Sequence, residues 1–239
     1  MKKGNPFILK GLDTTKGKVD SQVMTVGGTV VKSLILMVVL AASFLYSFEM
    51  TIYNYKPALT GATLIGFFIA MATTFMPKIA QYTAIIYAAC EGFALGALSN
   101  LLNNIYPGIA SQAILMTIVV AIVTLLIYRA VPTFAEKIRK MVFIGIISVA
   151  AVSLISALMS LFGVMSPIYG NGGIGIGFSL IVIVLAAMSL MTDFDNITKA
   201  ASYGAPKYME WYCAFGLTVT LIWLYTEILN LLAKFSSRD

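Results

Sequence analysis

Residues Ser111–Tyr128 read SQAILMTIVVAIVTLLIY, eighteen positions without a charge. A helix needs roughly 20 apolar residues to cross the hydrocarbon layer of a bilayer, so this run is close to a complete span. Its apolar positions are continuous and lack the period of two that a membrane β-barrel requires. Inside the layer no water is available to backbone amides, and only helices or closed barrels satisfy them internally. The run predicts a transmembrane helix.

Similar runs recur on both sides of it. The chain of 239 residues is 59% hydrophobic and 11% charged, against roughly a quarter charged in a soluble domain. The spans predicted are Lys32–Phe48 (extending toward Tyr53), Ala58–Phe75, Ile79–Leu102, Ser111–Tyr128, Met141–Phe162, Ile174–Met191 and Trp211–Phe235. The breaks between them carry proline or glycine: Lys56-Pro57, Met76-Pro77, Tyr106-Pro107-Gly108, Val131-Pro132, Ser166-Pro167, Gly170-Asn171-Gly172-Gly173 and Gly204-Ala205-Pro206. Proline lacks the helix donor and biases its predecessor away from helix, so these are turns. The fold expected is an all-α membrane protein with seven spans in one domain, residues 32–239, preceded by an arm at residues 1–31. Tyr53, Tyr55, Tyr106, Tyr169 and Trp211 fall near run ends, where amphipathic rings favour the interface.

Basic residues set the expected orientation. With the arm inside, the cytoplasmic segments collect Lys2, Lys3, Lys10, Lys16, Lys18 and Lys32, then Lys78, then Arg129, Lys137, Arg139 and Lys140, then Lys199 and Lys207. The opposite loops hold Lys56 alone. Seven spans put Lys234 and Arg238 outside, a mild violation that six spans with a re-entrant last segment would remove. The first apolar run starts near Leu34, too late and too long for a secretory signal. The basic arm lacks the interleaved aromatics of a nucleic-acid arm, and no nucleic-acid partner is expected. Absence of histidine excludes His-based zinc sites and Ser-His or Cys-His nucleophiles, and no enzymatic activity is expected. Cys90 and Cys213 lie within apolar runs and read as packed side chains. Gly163–Gly177 is glycine-rich without a Lys-Ser/Thr pattern, hence an outer loop and no phosphate cradle.

The informative residues are acids inside apolar runs. Glu91 lies mid-run in the third span, Glu227 lies past the middle of the seventh, and Asp193 and Asp195 close the sixth. An ionisable side chain at mid-bilayer costs at least about 2.5 kcal/mol on insertion scales, so it usually faces a protein interior or a water path. Such acids have two solutions: to carry a proton, or to bind a hard cation such as calcium. For Asp195 an ordinary solvated helix-end charge is an equal alternative, and Glu49 and Glu210, at span ends, read as solvated. The nearest basic candidate for Asp193 is Lys78. At about 1.5 Å per residue Glu227 lies roughly 24 Å beyond Trp211, whereas Asp193 sits near the cytoplasmic end of its span. They meet only if the sixth helix is set deeper or the seventh starts later; otherwise Glu91 is the better partner of Glu227.

Four segments stand out: Met24-Thr25-Val26-Gly27-Gly28-Thr29-Val30-Val31-Lys32-Ser33, Glu91-Gly92-Phe93-Ala94-Leu95-Gly96, Gly204-Ala205-Pro206-Lys207-Tyr208-Met209-Glu210-Trp211-Tyr212 and Leu224-Tyr225-Thr226-Glu227-Ile228-Leu229-Asn230-Leu231. They resemble the Bax inhibitor (transmembrane Bax inhibitor motif) family, in particular one bacterial branch of it. The resemblance implies seven helices with the last surrounded by the others, in a bacterial inner membrane with the N-terminus cytoplasmic. It implies a pH-sensitive calcium leak governed by paired acids, Asp193 with Asp195 as the alternative register on the sixth helix, and Glu227 on the seventh. Calcium is then the bound or transported ion, with Asp193 and Glu227 as its ligands and no organic cofactor. Relatives latch the pair with an arginine after the second helix; here only Lys78, in Phe75-Met76-Pro77-Lys78, could serve. A different reading is a non-conducting partner that modulates a membrane protease or stress complex through the arm or the Ala130–Lys140 loop.

Overall fold

The computed structural model describes residues 23–50, 56–163, 168 and 170–237. Among the described residues seven helices follow one another: α1 Val26–Glu49, α2 Lys56–Phe75, α3 Ala80–Ile105, α4 Ile109–Ala130, α5 Pro132–Leu161, α6 Gly173–Ser202 and α7 Met209–Ser236. A 3-10 turn, Pro77–Ile79, leads into α3. Among the described residues there is no strand beyond an isolated bridge between Val23 and Pro206. Lys2, Lys3, Lys10, Lys16, Lys18, Tyr53, Tyr55, Ser166, Pro167, Tyr169 and Arg238 lie outside the described residues.

Among the described residues six helical stretches are long and apolar enough to cross a membrane: α1, Pro77–Ile105, α4, α5, α6 and α7, while α2 contributes the shorter apolar stretch Leu59–Phe75. Their outer faces carry large exposed apolar side chains, among them Leu115, Phe143, Leu154 and Ile181. A contiguous coat of that kind belongs in lipid.

The helix ends depart from the apolar runs in two places. The segment expected as the loop Ala130–Lys140 is helical from Pro132 onward. Proline at the first helical position has its φ already set and loses no bond there. The sixth helix does not stop near Met191 but continues to Ser202. Nothing in Thr192–Ser202 breaks a helix, and Gly204, with φ of 69°, supplies the left-handed residue that turns the chain. Hydrophobicity marks where a helix leaves lipid, and these two helices go on beyond that point.

Small residues determine how α1 meets α3. A β-carbon on Gly92 would collide with the Leu40 carbonyl, and one on Gly96 with the Phe44 carbonyl and the Ser47 hydroxyl. With Ala84 and Ala88 buried on the same face, the spacing is the small-xxx-small pattern that lets membrane helices approach closely. α7 packs against α6, α1, α4 and α3. Its Leu224, Tyr225, Ile228 and Leu229 join Phe44, Leu95 and Ala186 in one buried cluster. Ala214 and Phe215 join Leu36, Ala84 and Tyr87 in a second. A third, on α4, α5 and α6, holds Tyr128, Ile138, Val142 and Leu185.

Candidate functional site

One stripe of α7 carries three polar groups in register. Thr220, Glu227 and Lys234 recur every seven residues, a step that advances about 10 Å along a helix and drifts only about 20° around it. The interior side of α6 faces this stripe. Thr220 donates its hydroxyl to the Asp193 carboxylate at 2.6 Å, so Asp193 lies level with the middle of α7. In the sequence it stood near the end of its apolar run; α6 continues past it to Ser202. No cation pairs with Asp193 among the described residues.

Glu227, two turns further along, sits beside the Trp223 indole and within the field of Lys234. It lines a cleft of about 370 Å³ with Tyr106, Ser153, Asn171, Asn230 and Lys234. That cleft belongs to the end of the bundle where α7 finishes, which we term the C-terminal end. Asp193, through Thr220, and Glu227 therefore meet the same side of α7 at different levels. A single ion held by both is not formed in this arrangement, since about 10 Å of helix separates Glu227 from Thr220. Among the described residues no three His, Cys, Asp or Glu side chains gather to hold a metal.

The other acids stand apart. Glu91 packs its carboxylate against Gly66 of α2 and acts electrostatically on Tyr87 and Cys90, with no such link to Asp193 or Glu227. Asp195 is no loose helix-end charge: its side chain is 7% exposed and accepts from Arg139 at 2.5 Å and Lys199 at 2.9 Å. Lys199 also reaches Glu136 at 2.5 Å. This network of two cations and two anions ties the start of α5 to the end of α6. Lys78 is exposed and forms no ion pair among the described residues; the cations that hold an acid of α6 are Arg139 and Lys199.

Two groups central to the interior were not apparent as such in the sequence. Glu210, expected to be solvated, is 2% exposed. Its carboxylate pairs with Lys32 and accepts the Thr25 amide at 2.9 Å and the Thr25 hydroxyl at 3.1 Å. Gly28 leaves the space that this carboxylate fills, and the Lys32 ammonium lies 5.6 Å over the Trp211 ring. The Met24 amide donates to the Ala205 carbonyl at 2.8 Å, closing the same end. The second group is Lys234, turned inward among oxygens. The seven-residue recurrence of Thr220, Glu227 and Lys234 was a signal that could have placed it inside.

The sequence model of the family described as Bax inhibitor 1 like matches residues 5–237. The chain belongs to this family. No curated protein and no solved structure compared with the chain matches it. The Bax inhibitor family comprises membrane proteins not known as enzymes, and the helical bundle agrees with a multi-pass membrane protein. The segments that carried the resemblance to Bax inhibitors each acquire a physical role. Thr25, Gly28 and Lys32 of the first segment enclose Glu210 of the third. Gly92 and Gly96 of the second bring α3 against α1. Tyr225 of the fourth shares a 2.6 Å hydrogen bond with Ser99 of α3, and the same segment places Glu227 in the cleft.

Proposed function

We propose that this Bax inhibitor 1 like protein is a pH-sensitive, calcium-permeable leak with seven spans, α2 included. In this reading α7 is the central helix, the membrane is a bacterial inner membrane, and the N-terminus is cytoplasmic. The observation that carries the proposal is Asp193: an acid level with the middle of α7, bonded by Thr220 and without a paired cation among the described residues. An acid so placed is costly unless it holds a proton or serves a passing cation. Glu227, on the same stripe of α7, is the next anionic station and lines a cleft at the C-terminal end. Calcium is a suitable cargo because it accepts carboxylate, carbonyl and hydroxyl oxygens in flexible numbers.

Protons compete with calcium in this scheme. Protonation of Asp193 or Glu227 removes the charge that attracts calcium, so acid weakens the stations. The test is calcium entry into liposomes carrying the full chain, followed against pH for the wild type and an Asp193→Asn, Glu227→Gln double variant. We expect the double variant to lose most of the flux and its pH dependence. Identical flux in the two proteins would remove these acids from the mechanism.

A further inference from the structure

Lysines near the end of a membrane helix ordinarily extend outward to reach water. Lys234 does the opposite. Its side chain is 9% exposed, and its ammonium donates to the Ser179 hydroxyl at 2.9 Å, the Gly175 carbonyl at 3.0 Å and the Ile168 carbonyl at 3.2 Å. An ammonium has three protons and no acceptor, so these three oxygens use its donors fully. They come from separate stretches of chain, the first turns of α6 and the connection before it. Gly175 makes their convergence possible, because a β-carbon there would collide with the Gly170 carbonyl where the connection folds back over α6. Asn230 and Glu227 follow one and two turns further into the same cleft.

We propose that Lys234 is a tethered cation occupying an oxygen-lined cradle at the C-terminal mouth of the cleft, a site that takes a free divalent cation once the ammonium leaves. Two carbonyls and a hydroxyl form a hard-cation donor set, and calcium binds such oxygens at about 2.3–2.6 Å. The oxygens that now surround the ammonium at 2.9 to 3.2 Å close by roughly half an ångström to hold it. The ammonium and a divalent ion compete for one position. An ion passing between the mouth and Glu227 must displace the lysine, which makes Lys234 the gate of this end. The flux consequence rests on the leak reading given above; the binding consequence does not.

The full chain in detergent and in liposomes provides the test, with calcium chloride as the probe. In Lys234→Met we expect a calcium-dependent rise in Tm larger than in the wild type, where the ammonium competes for the site, and calcium entry several-fold faster. In the unaltered protein, calcium should raise several-fold the labelling of Lys234 by an amine-reactive reagent, read by mass spectrometry, while labelling of exposed Lys78 stays constant. That measurement decides the matter even where Lys234→Met does not fold. A folded Lys234→Met variant without a calcium-dependent Tm, or labelling of Lys234 indifferent to calcium, overturns the cradle. Entry that requires Asp193 and Glu227 beside either negative result keeps the leak and removes the cradle. Entry indifferent to those acids beside a new calcium site in Lys234→Met does the reverse.

Discussion

Glu210 shows how a single carboxylate joins distant parts of the chain. It receives Lys32 and both donors of Thr25, groups more than 170 positions away in sequence. Removing one partner of a buried ion pair costs about 3–5 kcal/mol, because the other is left without compensation. Here the Lys32 side chain is 17% exposed and recovers some solvation, so Glu210→Ala should cost about 2–3 kcal/mol. Lys32→Met should cost less, since Glu210 keeps both Thr25 donors. Thermal unfolding in detergent measures the order, and an equal loss in both variants would mean that Thr25 contributes nothing. From sequence alone Glu210 stood at the end of an apolar run and read as solvated. Whether an end residue is covered depends on which other segment lies over it, and no local pattern encodes that.

Two glycines of different surroundings bring the packing of the helices within reach of experiment. Gly96 of α3 has the Phe44 carbonyl and Ser47 hydroxyl of α1 where its β-carbon would be, whereas Gly216 of α7 has open space. Overpacking a tight interface costs about 1–3 kcal/mol, while alanine for glycine in an open helix interior gains up to about 1 kcal/mol. Gly96→Ala should therefore lower the thermal midpoint and Gly216→Ala leave it equal or higher. A loss in Gly216→Ala as large as in Gly96→Ala would show that the α1–α3 approach is not what the glycine serves. The apolar runs made the helices themselves legible, because lipid enforces length and composition on each one separately. Their full extents were not legible. The polar ends of α5 and α6 are held by Glu136, Arg139, Asp195 and Lys199 acting across helices, and such pairing is invisible to a hydrophobicity window. The same limit applied to the acids: their presence inside spans was clear, but the meeting of Asp193 of α6 with Thr220 of α7, with Glu91 elsewhere, follows from helix packing.

At the scale of the whole molecule, the distribution of positive charge bears on the number of spans. Seven spans appeared to leave Lys234 on the face that should be poor in basic residues. The objection weakens once Lys234 is seen to donate inward to three oxygens, because the rule concerns charges in short loops and near helix ends that must be retained or translocated. The remaining weak point is α2, whose described apolar stretch Leu59–Phe75 is shorter than the six others. A short span is accommodated by local thinning of the bilayer at a modest cost, fractions of a kcal/mol per ångström. Packing of α2 along α3 also gives it a protein surface to follow across the layer. Reporter fusions at the two ends of the chain test the count. With α2 crossing, a fluorescent protein at the N-terminus should be active in the cytoplasm and alkaline phosphatase joined after Ser237 active on the other side. Both ends reporting from one side would mean an even number of crossings, with α2 lying at the surface, and the cleft beside Lys234 would then open on the same side as the start of α1.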